Sequence, residues 1–260
     1  MYTLEIMWPV LVGALVLMSA LYLVAWKKKD AGLVDLGWTL GIGCAALYVA
    51  WRLDGGIRGW MIAGLAALWA FRLGSFLFAH RIRGEHEDAR YQALRETLGS
   101  KAEPVFFGIF LFEGLLVLIF SLPIYAALSL PVELRVWDVI GLAWGLSAIL
   151  GERLADRQLT AFRRDPAKAG QVCRDGLWGY SRHPNYFFEW LFWWAFVWAS
   201  VGSSMIWLSL LGPVLMLMFL FKITGIPYTE KRALKSRGEA YRVYQQTTSI
   251  FIPWFPRKTV

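Results

Sequence analysis

The sequence predicts an all-α integral membrane protein with seven transmembrane helices, N-terminus outside and C-terminus in the cytoplasm. Three observations predict it. The 260 residues are 57% hydrophobic, with 15 Trp, 17 Phe and a mean hydropathy of +0.46, too apolar for a soluble domain of this size. The apolar residues fall into seven runs, at 8–26, 33–51, 59–79, 104–128, 136–153, 186–201 and 204–223, each near the ~20 residues a bilayer needs. With the runs threaded alternately, all but four of the 27 Lys and Arg share one side, which the positive-inside rule makes cytoplasmic.

Taken in order, the first run has no small-residue cleavage site behind it and reads as a retained helix; Lys27 to Lys29 mark its cytoplasmic end. The second admits Asp35 near its start. The third contains Arg72, inside "LAALWAFRLGSFLF". A charge at helix centre costs at least ~2.5–3.5 kcal/mol on insertion scales unless it pairs or faces water. Snorkelling accounts for Asp35 more easily than for Arg72. Below Arg72 a stripe continues through His80, Arg81 and Arg83 to the cytoplasmic rim, a cationic lining suited to an anionic ligand. The remaining exceptions to the charge rule are Arg52, Arg58 and Arg135. The net charge of +8 is therefore explained by topology, and nucleic-acid binding is not expected. Cys44 in an apolar run and Cys173 in a polar loop do not suggest a disulfide. The three His and two Cys lack metal-ligand spacing. There is no internal repeat.

The fifth run leads into "GERLADRQLTAFRRDPAKAGQVCRDGLWGYSRHPN". Asp156 and Arg163, seven apart, share a helical face, and Pro166 ends that helix. Arg174, Arg182 and His183 follow in a loop with Gly170, Gly176 and Gly179, where arginines can hold phosphates and glycines let backbone approach a ligand. No GxGxxG is present, so a Rossmann domain is not in view. Pro184 opens the sixth span, whose N-terminus favours an anion. Asn185 and Glu189 lie one turn apart on its first face. On these residues alone, the stretch reads equally as a ligand site or as a polar helix cap. The tail carries Glu230, Arg232, Tyr241 and Tyr244 on an amphipathic helix, then an apolar Pro-rich end, as expected of an interfacial helix over the cytoplasmic mouth or of a membrane anchor.

Together "RDGLWGYSRHPNYFFE", "VDLGWTLG", "FRLGSFLFAHRIRGEHEDARY", "ADRQLTAF" and "TEKRALKSRGEAYRVYQQTTSIFIPWFP" resemble bacterial membrane proteins related to the steroid 5α-reductases. "RHPNY" alone is also found in isoprenylcysteine carboxyl methyltransferases. The resemblance covers nearly the whole chain. It implies one membrane domain over 1–260 in the bacterial inner membrane, with 8–128 forming the substrate side and 129–260 carrying cofactor motifs. It also implies an NADPH pocket on the cytoplasmic side. By this resemblance the cofactor residues are Arg72, His80, Arg81, Arg83, Asp156, Arg163, Asn185, Glu189, Arg232 and Tyr244; Arg174, Arg182, His183 and Tyr186 complete the expected cofactor set. The substrate carbonyl would be held at Asp35 and Trp69, which stand where the steroid enzymes have glutamate and tyrosine. Trp has an N–H but no ionisable hydroxyl, so Tyr91 or His80 would assist Asp35. Phe188 stands where "NYFGE" has glycine.

The expected function is NADPH-dependent reduction of a carbon–carbon double bond conjugated to a carbonyl in a steroid or other lipid. Hydride goes to the β-carbon and an acid, Asp35, stabilises the enolate. The expected partners are the bilayer and a lipophilic small molecule. Two alternatives are an S-adenosylmethionine-dependent methyltransferase acting on a lipid or prenyl group, and a non-enzymatic lipid or haem carrier.

Overall fold

Long apolar runs without water to satisfy their backbone must close their hydrogen bonds internally, and the runs read from the sequence are indeed helices. The structure, a computed structural model, describes residues 2–79, 87, 89–223 and 225–257. Its helices are α1 (Tyr2–Lys28), α2 (Leu33–Arg52), α3 (Gly56–Leu77), α4 (Ala89–Leu98), α5 (Ala102–Leu128), α6 (Val136–Arg164), α7 (Pro184–Ala199), α8 (Ile206–Ser209), α9 (Leu211–Met218) and α10 (Ile226–Thr247). Among the described residues the protein is all-α, and five helical runs are long and apolar enough to cross a membrane: Thr3–Lys28, Leu33–Arg52, Gly56–Leu77, Arg90–Leu128 and Ile206–Thr247. This is the pattern of a multi-pass membrane protein. The other two expected spans are helical but differ in kind. The fifth continues into the charged stretch that ends at Arg164. The sixth has 16 residues, short of the ~20 that cross a bilayer unaided.

The chain folds as two compact units, Met1–Val139 with Phe196–Leu211, and Ile140–Ala195 with Gly212–Val260. In the first unit α2 packs on α1, α3 and α5. Trp69 of α3 is fully buried and meets Trp38 edge-on at 5.7 Å, and Trp38 meets Phe120 of α5 in the same way at 5.4 Å. The short helix α4 is polar and docks through ions instead. Arg95 bonds Glu87 at 3.0 Å and Glu103 at 2.5 Å, and Glu87 accepts the Ala31 backbone N–H at 2.9 Å.

Two of the basic residues that broke the charge rule hold this unit together. Arg58, 1% exposed, forms a fork on Asp138 with both contacts at 2.9 Å and also donates to the carbonyl of Ala127 at 2.8 Å. Arg135 approaches the same carboxylate at 3.0 Å and donates to the carbonyls of Ala199 and Val201, each at 2.7 Å. One acid thus organises two arginines, which in turn satisfy carbonyls at neighbouring helix ends.

In the second unit the loop after α6 folds over its own small core of Phe162, Cys173 and Trp178. Cys173 is buried there despite its polar sequence surroundings, and both cysteines are free thiols. Gly176 has φ of 56°, a left-handed conformation that suits glycine. The Gln158 side chain lies against it and accepts the Leu177 N–H at 2.9 Å. Phe188 finds its room on α6: its ring covers Gly151, where a Cβ would collide with it. The glycine missing from "NYFFE" is thus matched by a glycine on the facing helix.

Candidate functional site

In the first unit the site grows from Asp35 in the first turn of α2. Its carboxylate accepts from Arg90 Nη2 at 2.8 Å and from Tyr91 Oη at 3.0 Å. Consecutive residues of α4 therefore converge on one acid, and the Arg90 guanidinium lies 5.2 Å from the Tyr91 ring centre. The Arg95 network described above fixes α4 in this position. The hydroxyl that reaches Asp35 is that of Tyr91, while Trp69 lies in the aromatic core. Arg72 is half-buried, 5.7 Å from the Phe76 ring. His80, Arg81 and Arg83 lie outside the described residues.

In the second unit the polar residues sort into two groups. One is a clasp on the tail. Glu230 of α10 accepts from Arg182 Nε at 2.6 Å, Gln245 Nε2 at 2.7 Å and Tyr241 Oη at 3.3 Å, and lies 3.2 Å from His183 Nε2. Arg182 Nη2 donates to the other Glu230 oxygen at 3.3 Å, and Nη1 donates to the carbonyls of Gln245 and Thr248, at 2.9 and 2.8 Å. Tyr244, 2% exposed, donates to the Trp178 carbonyl at 2.5 Å. The backbone joins in: the Arg182 N–H donates to the Ser249 carbonyl at 2.8 Å, and Ser181 Oγ to that of Phe251 at 2.7 Å. The residues of "SRHPN" and the tail thus recognise one another. In this geometry Arg182 and Tyr244, expected to contact a cofactor, hold the C-terminal stretch in place. Tyr186 stacks on His183 with ring centres 5.4 Å apart.

Burial holds the His183 imidazole below its usual pKa, although Glu230 pulls the other way. The neutral ring then belongs to the closed clasp. Its contribution to stability is complete above about pH 6.5, the ordinary histidine value, and is lost as the pH falls below it, because the opened chain binds the proton first. We expect proteolysis of the tail to accelerate on going from about pH 7.5 to about pH 5.5, and this acceleration to shrink in His183→Gln. Equal cleavage rates at both pH values in the unaltered protein would contradict it.

The second group lies along the first turns of α7 and the end of α6. Asn185 Nδ2 donates to Asp156 Oδ1 at 3.2 Å, joining the first turn of α7 to α6. One turn deeper, buried Glu189 accepts from Trp193 Nε1 at 3.2 Å. At the end of α6, desolvation and the nearby charges of Arg237 and Arg232 lower the pKa of Arg163. Arg232 and Arg237 thus lie near enough for their charges to act on Arg163, and among the described residues neither Arg163 nor Arg232 has an ion-pair partner. Arg237 is tethered to the Gln171 carbonyl at 2.8 Å. Arg174 is exposed, 5.4 Å from the Tyr244 ring. Such a cluster is suited to an anion with several oxygens.

Sequence reasoning did not single out Arg90, Arg237 or the central place of Glu230.

A family model described as a protein of unknown function (DUF1295) matches residues 21–248, and the chain belongs to that family. No curated protein and no solved structure matches the chain.

Proposed function

We propose that this DUF1295 protein is a seven-span membrane reductase, N-terminus outside and C-terminus cytoplasmic, that uses NADPH to reduce a carbon–carbon double bond conjugated to a carbonyl in a lipid. The observation that carries the proposal is the gathering of Arg163, Arg232 and Arg237. Like charges held together are stabilised by an anion bound among them. NADPH brings a pyrophosphate and a 2′-phosphate, whereas S-adenosylmethionine has a sulfonium and no phosphate. The cluster fits the former better.

In this reading Arg163 and Arg232 bind the phosphates, Arg237 adds a third cation from a tethered position, and Asn185 and Glu189 define the first face of α7 for the nicotinamide end. The nicotinamide, when bound, supplies the hydride. Asp35 and Tyr91 serve the substrate carbonyl. Tyr91 turns its hydroxyl from Asp35 to the carbonyl oxygen as negative charge develops there, and Arg90 continues to compensate Asp35. The sequence resemblance to steroid 5α-reductases likewise puts a carboxyl residue at position 35, but in this reading the Tyr91 hydroxyl, and not the Asp35 carboxyl, donates to the carbonyl.

Hydrogen bonds between charged groups contribute about 1.5–3 kcal/mol each, so Arg163→Ala and Arg232→Ala should each weaken NADPH binding by roughly tenfold to a hundredfold. Tryptophan or nucleotide fluorescence in a detergent titration reads this directly. Unchanged affinity in both variants would remove the phosphates from this cluster.

A further inference from the structure

After the polar helix α10 the chain turns apolar again, in "SIFIPWFP" over residues 249–256. Pro253 and Pro256 prevent a helix there. The stretch is tied instead to the loop before α7. The Arg182 N–H donates to the Ser249 carbonyl at 2.8 Å, the Trp254 N–H to the Tyr180 carbonyl at 2.9 Å, and Ser181 Oγ to the Phe251 carbonyl at 2.7 Å. A fourth bond runs from the Arg257 N–H to the Thr247 carbonyl at 2.8 Å. One side chain turns inward. Phe251, 5% exposed, meets Phe187 and Trp190 at 5.7 Å each and Phe221 at 5.2 Å. Phe187 and Trp190 lie in the first two turns of α7, and Phe221 lies near the end of the apolar run that follows α9. The stretch therefore sits where two apolar segments end and charged sequence begins.

The other large side chains turn outward. Trp254 is 68% and Phe255 76% exposed, and Ile252 and Tyr180 are exposed with them. The rings adjoin: Phe255 meets Trp254 at 6.4 Å and Tyr180 at 6.2 Å, both edge-on. Lys222, next to Phe221, and Arg257, two residues after Phe255, are exposed cations. A stretch fixed by its backbone and by one buried ring has no packing need for these outward apolar groups, and such a patch marks a surface for another molecule. Its place at the ends of two apolar segments points to lipid. Trp and Tyr collect at the headgroup level of a bilayer, and cations there meet anionic lipids.

We propose that Ile252, Trp254 and Phe255, with Tyr180, anchor the C-terminal stretch among the lipid headgroups of the membrane the protein spans, and that the bilayer thereby holds the Arg182–Glu230 clasp closed. The backbone bonds that place Trp254 on its loop also join Ser249 to Arg182, whose guanidinium meets Glu230. Lipid that covers the rings only while the stretch lies on that loop favours the closed form by mass action. The anchor does not depend on the reductase reading.

The test places a nitroxide at position 255 of the full chain, as Phe255→Cys in a Cys44→Ala background, in nanodiscs of phosphatidylcholine and phosphatidylglycerol. Cys173 is buried, and the background protein without the new cysteine controls for its labelling. Dissolved oxygen, which concentrates in lipid, should relax the label more than a water-soluble nickel chelate does. The order should reverse for Glu239→Cys, at an exposed position of α10. Nickel access equal to that at position 239 would put the patch in water, and shielding from both reagents would mean that protein covers it; either result overturns the anchor. For the clasp, tryptic cleavage within α10 in the same nanodiscs should quicken about tenfold in the double variant Trp254→Ser, Phe255→Ser. These substitutions leave every tryptic site in place. An unchanged rate would show that the bilayer does not hold the clasp.

Discussion

Replacing Asp35 with Leu is expected to lower hydride transfer to an enone lipid by roughly 10²–10³-fold, with NADPH affinity nearly constant. The substitution removes the acceptor that orients both Arg90 and Tyr91. Tyr91 is then free to rotate away from the carbonyl it is proposed to serve, and Arg90 loses its bond to position 35. Arg90 keeps 24% of its side chain exposed, so it can turn to water and the fold should survive. Asp35→Asn retains a polar contact to both neighbours but loses the carboxylate, and a smaller decrease is expected. A 3-oxo-steroid is the first substrate to try. Wild-type turnover in the Leu variant would show that the carbonyl is served elsewhere.

The largest loss of stability is expected from Asp138→Ala. Its carboxylate is 1% exposed and compensates Arg58, which is equally buried, as well as Arg135. Removing one member of a buried ion pair costs about 3–5 kcal/mol, because the remaining charge is left without compensation. Arg135 is 25% exposed and can recover hydration; Arg58 cannot. Thermal unfolding in detergent should therefore show a much larger decrease for Asp138→Ala than for Asp35→Leu. An unchanged midpoint would mean that water or lipid reaches Arg58 in the variant.

The apolar helices were legible because the bilayer imposes a length and a composition on each one, independent of neighbours. The runs around α1, α2, α3 and α5 end within a few residues of the helices found. The extent of α6 was less legible, because a helix leaving the membrane can continue with polar residues and its hydropathy falls while its backbone does not change. The roles of Arg58 and Arg135 were hidden for a different reason. Their partner Asp138 is 80 residues from Arg58, though only three from Arg135, and nothing local distinguishes a buried ion pair from a loop charge. The same distance effect concealed the clasp: Arg182 and Tyr244 carry the residue types of a cofactor site, yet their donors meet Glu230, Trp178 and backbone carbonyls. Tyr91 was named as a possible helper for Asp35, and the contact at 3.0 Å gives that pairing a geometry. Arg90, its chain neighbour, was passed over because an arginine beside a cytoplasmic boundary looks like topology.

The central claim is that the guanidiniums of Arg163, Arg232 and Arg237 hold the phosphates of a dinucleotide. It is tested most directly by extracting the full-length protein in mild detergent, denaturing it, and analysing the released small molecules by mass spectrometry. The account predicts NADP⁺ or NADPH, reduced in amount in Arg163→Ala. S-Adenosyl compounds without any dinucleotide would contradict it.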